Sequence, residues 1–526
     1  MGNYPFYINE QVDTIVELVE RSRNLYGHAI AVKYKKDKCI IEKNYNDLLE
    51  DSYSVARYLL SKSMDKGHIA IIGPSSYEWI ITYLGTIYAG MVIVPLDKEL
   101  PSKELYELIN QADVEYLFYD EQYADIVAEL KNEYDLKIPV SVFADLKSFN
   151  NEIKLPAVDA DIVSTILFTS GTTGRSKGVM LSQRNIARNV IQGVGAVNLE
   201  HQKDTILSVL PFNHAYEFTC TILGMIYKGV TICISSGLKY IQKEFIEYKP
   251  TLMFIVPLLA EKLYERIELS VKKSNKEKIF SVALAIAGFF NKFNIDLSDK
   301  LFREVKAAFG GELKILMCGG APLSEELISK YKKLGINLFQ GYGLTECAPL
   351  LTVNFDYYHR PNSVGKIVEG NYVKIVDGEI WAKGVSVSKG YYNNSEETNK
   401  AFENGWFKTG DLGTVDEDGF VFITGRKKNL IILSNGENVS AEELENLIYK
   451  ELGISEVMVY GKNEKIVAEI YVDEEKDIAL TEINDRIHKL NRNLPSYKNI
   501  DKIIIRDNPF DKTTTNKIKR YKKMED

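Results

Sequence analysis

The run Thr169-Ser170-Gly171-Thr172-Thr173-Gly174-Arg175-Ser176-Lys177-Gly178 constrains this chain more than any other stretch, because it sets glycines, hydroxyls and a lysine directly after the apolar Ile166-Leu167-Phe168. Glycine lets a backbone turn tightly and bring successive N–H groups close to anionic oxygens, while hydroxyls and an ammonium add further donors. A polyphosphate is the ligand such a turn suits. The nucleoside-triphosphate loop of the Walker type needs Gly, four residues, then Gly-Lys-Ser/Thr. Here Ser176 precedes Lys177 and Gly178 follows it, so that template fails, as does the dinucleotide pattern G-x-G-x-x-G. A flexible linker of small polar residues is the plain alternative.

The rest of the chain bounds the setting of this loop. With 526 residues, 45% of them apolar, it can bury large cores, and at ~150 residues per domain it should form about three lobes. The net charge of −8 gives no global attraction to nucleic acid or anionic lipid, and DNA binding is disfavoured. Cys39, Cys220, Cys233, Cys318 and Cys347 are scattered singly, which signals neither a disulfide framework nor a zinc site and fits a reducing, cytoplasmic location. The opening Met-Gly-Asn-Tyr-Pro-Phe lacks a basic region followed by an apolar core, and Phe6 stands where a myristoylation signal wants Ser or Thr, so export is not expected. The longest apolar window, Ile279 to Phe290, falls well short of the ~20 residues that span a bilayer. It is expected to be a buried helix, or at most an interfacial one making a peripheral membrane contact.

Periodicity organises the chain. Helical spacing from Tyr45 to Leu60 gives way to the apolar run His68 to Gly73, and the unit recurs as Tyr83–Gly90 with Met91–Leu96 and as Leu105–Gln111 with Val114–Tyr119. Such alternation predicts parallel α/β layers. Further strands are predicted at Ile206–Leu210, Leu252–Val256, Leu313–Cys318 and Ile336–Phe339, each followed by a loop rich in Gly, Pro or polar residues. Open α/β sheets bind ligands at those strand ends. From Tyr372 the Asp377-Gly378 and Asp418-Gly419 turns suggest a small β-rich subdomain, and a compact α+β unit follows with a helix from Ala441 to Lys450.

Three constellations carry chemistry. Gly341-Tyr342-Gly343-Leu344-Thr345-Glu346 follows a predicted strand, and Glu346 is a candidate holder of Mg²⁺, which takes one or two carboxylates plus substrate phosphates. The alternative is an ordinary strand-to-helix turn with an acid in its first turn. Lys408-Thr409-Gly410-Asp411-Leu412-Gly413 offers a carboxylate between glycines, suited to vicinal ribose hydroxyls, with a turn aspartate as the alternative. Gly425-Arg426-Lys427-Lys428 adds a guanidinium after the next strand.

Together these four motifs, in this order and approximate spacing, resemble the adenylate-forming (AMP-binding) superfamily, and most of all its fatty acyl-CoA synthetases. Weaker matches at Ala89-Gly90, Val94-Pro95-Leu96, Leu210-Pro211-Phe212-Asn213-His214, Gly319-Gly320-Ala321-Pro322-Leu323, Gly378-Glu379-Ile380, Gly390-Tyr391 and Leu494-Pro495-Ser496-Tyr497 extend the resemblance over nearly the whole chain. It implies an α/β protein with a large N-terminal ATP- and acid-binding domain, residues 1–427, made of layered α/β subdomains plus a β-rich subdomain. A small mobile α+β domain, residues 428–526, follows, with Lys428 as hinge. The family's catalytic lysine maps to Lys517 in Thr513-Thr514-Thr515-Asn516-Lys517-Ile518-Lys519-Arg520. Asn516 replaces the usual glycine there, which is tolerable because Asn adopts positive φ readily, and Asp511 stands where proline is common. A basic tail of interchangeable lysines is the alternative.

The implied reaction joins an acid to a thiol using ATP, with Mg²⁺ and with coenzyme A as co-substrate. ATP or AMP would be held by Thr169, Ser170, Gly171, Thr172, Thr173, Gly174, Lys177, Gly319, Gly320, Ala321, Gly341, Tyr342, Gly343, Asp411 and Arg426. Thr345, Glu346, His214 and Lys517 would do the chemistry, and the loop around Gly436 would line the coenzyme A channel. Relatives that load amino acids place an aspartate near the segment matching Phe212-Asn213-His214-Ala215, and none is present. A buried ammonium without that partner is costly, so an acid without an amino group is expected. The segment Leu258 to Phe309 resembles the extra helical region of long-chain enzymes, which favours a medium- or long-chain fatty acid. An aryl acid, or a separate acyl carrier protein as acceptor, stays open, as does the oligomeric state. Only nine residues follow Lys517, so the thiol is expected from a separate molecule.

Overall fold

A computed structural model describes residues 6–62, 64, 67–143, 152–169, 176–433, 437–454, 456–462, 465–472, 480–512, 518 and 520. These fall into two compact units, one comprising the chain to Tyr372 together with Ala382–Phe407, the other comprising Val373–Trp381 and the chain from Lys408 on.

The first unit is built on two large sheets. In the six-stranded sheet the order is Val140–Val142, Val114–Tyr119, His68–Ile72, Val92–Pro95, Val163–Thr169, Lys177–Ser182. Its neighbours run parallel except for the final hairpin. The nine-stranded sheet centres on parallel strands Asn337–Gly343, Ile315–Cys318, Leu252–Ile255, Thr205–Ser208, Thr231–Ile234 and Ile30–Lys36. Antiparallel strands close both its ends, Leu350–Val353 and Lys366–Ile367 at one and Cys39–Asn44 at the other. The predicted strands therefore exist, and the register Cys318↔Gln340 sets the end of one of them beside Gln340 of its neighbour, which runs three residues further.

Helix starts follow local chemistry. Thr14, Asn44 and Ser182 each accept from the backbone N–H three residues on, and each is answered by a side chain reaching back, a reciprocal cap that satisfies two orphan donors at once. Helix Tyr77–Tyr88 is buried around its whole girth. It crosses Tyr45–Ser61 so closely that a Cβ on Gly85 would lie 2.5 Å from Val55, so only glycine fits.

One expectation fails. The apolar window forms helix Glu277–Asn291, but among its residues only Ala283 and Ala287 are buried, while Ile279, Val282 and Phe289 are 70%, 60% and 58% exposed. A buried helix is thus ruled out. The cause is periodicity: the run is apolar on two faces, and a window of hydrophobicity records how much apolar surface is present rather than how much is covered.

In the second unit, strands Leu430–Ile432 and Asn438–Ser440 form a ribbon, and Glu456–Lys462, Lys465–Tyr471 and Lys502–Arg506 form a three-stranded sheet. Helices Ala441–Leu452 and Leu480–Arg492 close a core of their own through Leu444, Ile448, Ile483 and Ile487. Hairpin Trp406–Val415/Val421–Arg426 pairs Asp411 with Arg426.

Candidate active site

Thr169 ends its strand and faces Lys177 across the hairpin, so the phosphate-loop candidate is the connection of a tight antiparallel pair. Ser170, Gly171, Thr172, Thr173 and Gly174 themselves lie outside the described residues. The Lys177 ammonium is paired with Glu397 and sits 5.1 Å from the centre of the Tyr391 ring. The Tyr391 hydroxyl donates to Oε1 of Glu346 at 2.8 Å. Tyr391 is fixed by backbone as well: Gly390 and Tyr392 bond to Met180 and Gly178, and Ser388 N–H donates to the Glu346 carbonyl. Burial, then the Glu346 charge, pushes the Tyr391 phenol well above its ordinary range, so it remains a donor. The expected magnesium residue and the expected phosphate-loop lysine are therefore joined through one tyrosine.

The turn that presents Glu346 is over-determined. Asn337–Gly343 runs on as strand through Gly341, Tyr342 and Gly343, three residues longer than a loop starting at Gly341 would allow. A Cβ on Gly343 would lie 1.9 Å from the Pro349 carbonyl oxygen, so the chain can double back only with glycine there. Thr345–Cys347 forms one 3₁₀ turn ended by Ala348 at φ 63°, and no helix follows, which removes the strand-to-helix alternative. From the helix Gln183–Val194, Asn189 donates to the Leu350 carbonyl at 2.7 Å and accepts from Leu350 N–H at 3.0 Å. Its Nδ2 also reaches the Cys347 carbonyl and the Ser386 hydroxyl. Asn189 and Tyr391 escape sequence reasoning as working residues, because the partners that reveal them lie 45 positions away for Tyr391 and more than a hundred for Asn189.

Gly319, Gly320 and Ala321 follow strand Ile315–Cys318. Gly319 N–H donates to the Ile255 carbonyl, and the Tyr216 ring lies 3.1 Å from where a Gly319 Cβ would stand. Gln340 donates to the Ala321 carbonyl at 3.4 Å. His214 precedes a π-helical segment, Tyr216–Leu223, whose Phe218 N–H bonds the His214 carbonyl. Tyr216 donates to the Met317 carbonyl at 2.9 Å, so the His214 segment and the Gly319 loop are locked together. Next along, Glu217 is fully buried, accepts from Ser208 and Thr221, and has its carboxyl pushed up to about 8, chiefly by desolvation.

In the second unit, Asp411 lies in a strand rather than a turn, correcting the turn alternative, and its side chain is 4% exposed. Arg426 Nε reaches its Oδ1 at 2.9 Å. Next to it, buried Glu379 accepts from Gly410 N–H and from Lys427. Lys428 sits in a 3₁₀ turn, and burial, then Arg426 and Arg520, pulls its ammonium below the usual lysine range. Arg520 is bound by the Glu445 carboxylate and the Val459 carbonyl, and Lys512 by Glu456 at 2.6 Å. Lys512 and Ile518 are bridged. Lys517 and Gly436 lie outside the described residues.

Glu346 also fits the magnesium expectation. No cluster of three or more acidic, His or Cys side chains occurs among the described residues, and one half-buried carboxylate is the donor set for an ion held mainly by substrate phosphates.

A model of the AMP-binding enzyme family matches residues 19–392, and one of the AMP-binding enzyme C-terminal domain matches residues 428–526. The chain belongs to the AMP-binding enzyme family. It is 31% identical over 436 residues to the long-chain-fatty-acid–CoA ligase FadD15 of Mycobacterium bovis, covering 77% of this chain and 72% of that one. It is 28% identical over 515 residues to the long-chain-fatty-acid–CoA ligase ACSBG1 of Rattus norvegicus, covering 86% and 70%. Among solved structures, ATP-bound MatB from Rhodopseudomonas palustris superposes with a TM-score of 0.79 at 25% identity, covering 96% of this chain and 97% of that one. The adenylate-forming fold is thereby established for this AMP-binding enzyme, and by family and relatives it is an AMP-forming acyl-CoA synthetase.

Proposed function

We propose that the chain activates a medium- or long-chain fatty acid as acyl-AMP, releasing pyrophosphate, and then passes the acyl group to the thiol of coenzyme A, with AMP as the leaving group. The observation that carries this reading is the Lys177–Tyr391–Glu346 arrangement, which joins a phosphate-loop hairpin to a single carboxylate at the end of a neighbouring sheet. A free carboxylate is a poor electrophile, so a good leaving group must be attached before a thiol can attack. In the first half-reaction the acid oxygen attacks the α-phosphorus and the bond to the β,γ-diphosphate breaks. Catalysis of this kind is mainly positioning and charge stabilisation.

Thr169 to Gly174 and Lys177 would hold the β and γ oxygens, and Gly319 to Ala321 with Gly341 to Gly343 would line the adenylate. Mg²⁺ at Glu346, beside Thr345, would neutralise charge on the phosphates. Asp411 would accept from the ribose hydroxyls with Arg426 adding donors, and His214 would line the pocket near the carboxylate. Lys517 would donate to the α-phosphate and carboxylate oxygens. Once acyl-AMP has formed, turning of residues 428–526 about Lys428 would withdraw Lys517 and bring the loop at Gly436 toward the thiol channel, a gate of the domain-closure kind. A cytoplasmic enzyme making peripheral contact with lipid suits such an acid, since each acyl CH₂ favours the bilayer by about 0.8 kcal/mol.

ATP–pyrophosphate exchange across a panel of acids, on wild type and Lys517→Ala, tests the proposal. Exchange should require fatty acids and fall in the variant by a factor matching about 3 kcal/mol or more, with circular dichroism unchanged. Unaltered exchange in Lys517→Ala removes the lysine assignment. Exchange with aryl acids alone removes the fatty-acid assignment. Acyl-AMP that forms but is discharged by a carrier protein and not by coenzyme A replaces the acceptor.

A further inference from the structure

The exposed side of helix Glu277–Asn291 is apolar along its length. Ile279, Val282, Ile286 and Phe289 recur at spacings of three and four, and Phe293 continues the line in the turn that follows. All five are exposed, Phe293 by 63%, and the Phe289 and Phe293 rings stand 5.4 Å apart. Ala283 and Ala287, on the adjoining face, anchor the helix in the core together with the partly buried Phe280 and Leu284. The stripe is therefore carried by a fixed helix, and a contiguous exposed apolar surface of this kind marks an interaction site.

Charge decides what covers it. Lys272, Lys273, Lys276, Lys278 and Lys292 lie within or beside this segment against two acids, Glu277 and Asp296, while the chain as a whole carries −8. Lys276 is held by Glu304. Lys278, next to Ile279 near the start of the helix, and Lys292, its C-terminal cap, are exposed at the two ends of the stripe. An apolar stripe flanked by lysines, on a helix too short and too little apolar to cross a bilayer, is the design of a helix lying in a membrane interface. A second copy laid along the stripe would instead bring like-charged flanks together.

We propose that the Ile279–Phe293 stripe docks on an anionic bilayer surface, with its aromatic and aliphatic side chains in the acyl boundary and Lys278 and Lys292 at the lipid phosphates. A net-negative chain would meet such a surface in one orientation, by this helix. The inference rests on the fatty-acid reading for its purpose, but its physical basis is independent of it.

Co-sedimentation with phosphatidylcholine vesicles, with and without phosphatidylglycerol, tests it, using the full chain, Ile286→Ser/Phe289→Ser/Phe293→Ser, and Lys278→Glu/Lys292→Glu. Wild type should bind phosphatidylglycerol vesicles, and binding should fall at about 1 M salt, where the screening length is ~3 Å. Each variant should lose about tenfold or more in partitioning while keeping its melting temperature and its pyrophosphate exchange with a soluble medium-chain acid. Failure of wild type to bind, or binding by both variants undiminished from that of wild type, overturns the proposal. So does a dimer in sedimentation velocity that the serine variant dissociates, which would assign the stripe to a second copy. Absence of exchange with any fatty acid would instead defeat the proposed activity and leave the vesicle result standing.

Discussion

The hydroxyl of Tyr391 and the carboxylate of Glu346 are joined by a 2.8 Å hydrogen bond, and the Lys177 ammonium lies over the same tyrosine ring. Two candidate phosphate and metal residues, 169 positions apart in the numbering, thus share one rigid intermediary. The tyrosine orients Glu346 without needing to touch substrate.

Replacing Tyr391 by Phe should therefore raise the Mg²⁺ concentration for half-maximal pyrophosphate exchange by about tenfold, the scale of one hydrogen bond to a charged group. The melting temperature should change little, because the ring stays. Since the phenol is held above its ordinary range, the wild-type profile between about pH 6 and 9 should show no break from this residue. A metal titration of both proteins checks it, and an unshifted midpoint would dismiss the orienting role.

Asp411→Asn should weaken AMP binding by roughly tenfold to a hundredfold, as expected when charge-assisted bonds to the sugar become neutral ones. Stability should suffer less, because Arg426, which loses its ion partner, has a side chain 45% exposed and can turn to water. Calorimetric titration with AMP beside a thermal melt separates the two effects.

Gly343→Ala should cost about 3 kcal/mol or the fold of the Glu346 turn, because its Cβ would sit 1.9 Å from the Pro349 oxygen and backbone would have to move. Gly341→Ala should be far milder, with its nearest neighbour, the Thr352 oxygen, at 3.3 Å. Denaturant melts and exchange rates of the pair give the comparison, and equal behaviour would contradict the close approach.

Glu217 supplies a pH prediction. Its carboxyl is raised from 4.5 to about 8 by burial, so the folded chain holds a proton there that the unfolded chain releases. Its contribution to stability is complete below pH 4.5, declines as pH rises, and is lost once pH passes about 8. Relative to Glu217→Gln, wild type should lose up to about 1.4 kcal/mol per pH unit inside that window. Parallel slopes for the two proteins in urea melts at pH 5, 6, 7 and 8 would refute it.

Much of the frame is legible in the residues. Strands at His68–Ile72 and Val114–Tyr119 and the helix from Ala441 follow from local apolar spacing and caps, which act over a turn or two of chain. Helix Glu277–Asn291 is legible as a helix but not as an exposed one, since burial depends on what other segments supply to cover it. Asp411 reads as a turn residue because glycines flank it, yet the strand Val421–Arg426 beside it turns the local pattern into a ladder.

The sequence by itself determined the α/β layering, the phosphate-loop candidate and the family, because each is written in short-range pattern and composition. The tertiary structure alone decided that Tyr391, Asn189 and Glu397 serve Glu346 and Lys177, and that one apolar face faces water. Those relations join residues distant along the chain, and distance along a polymer places no constraint on distance in space until the whole has packed.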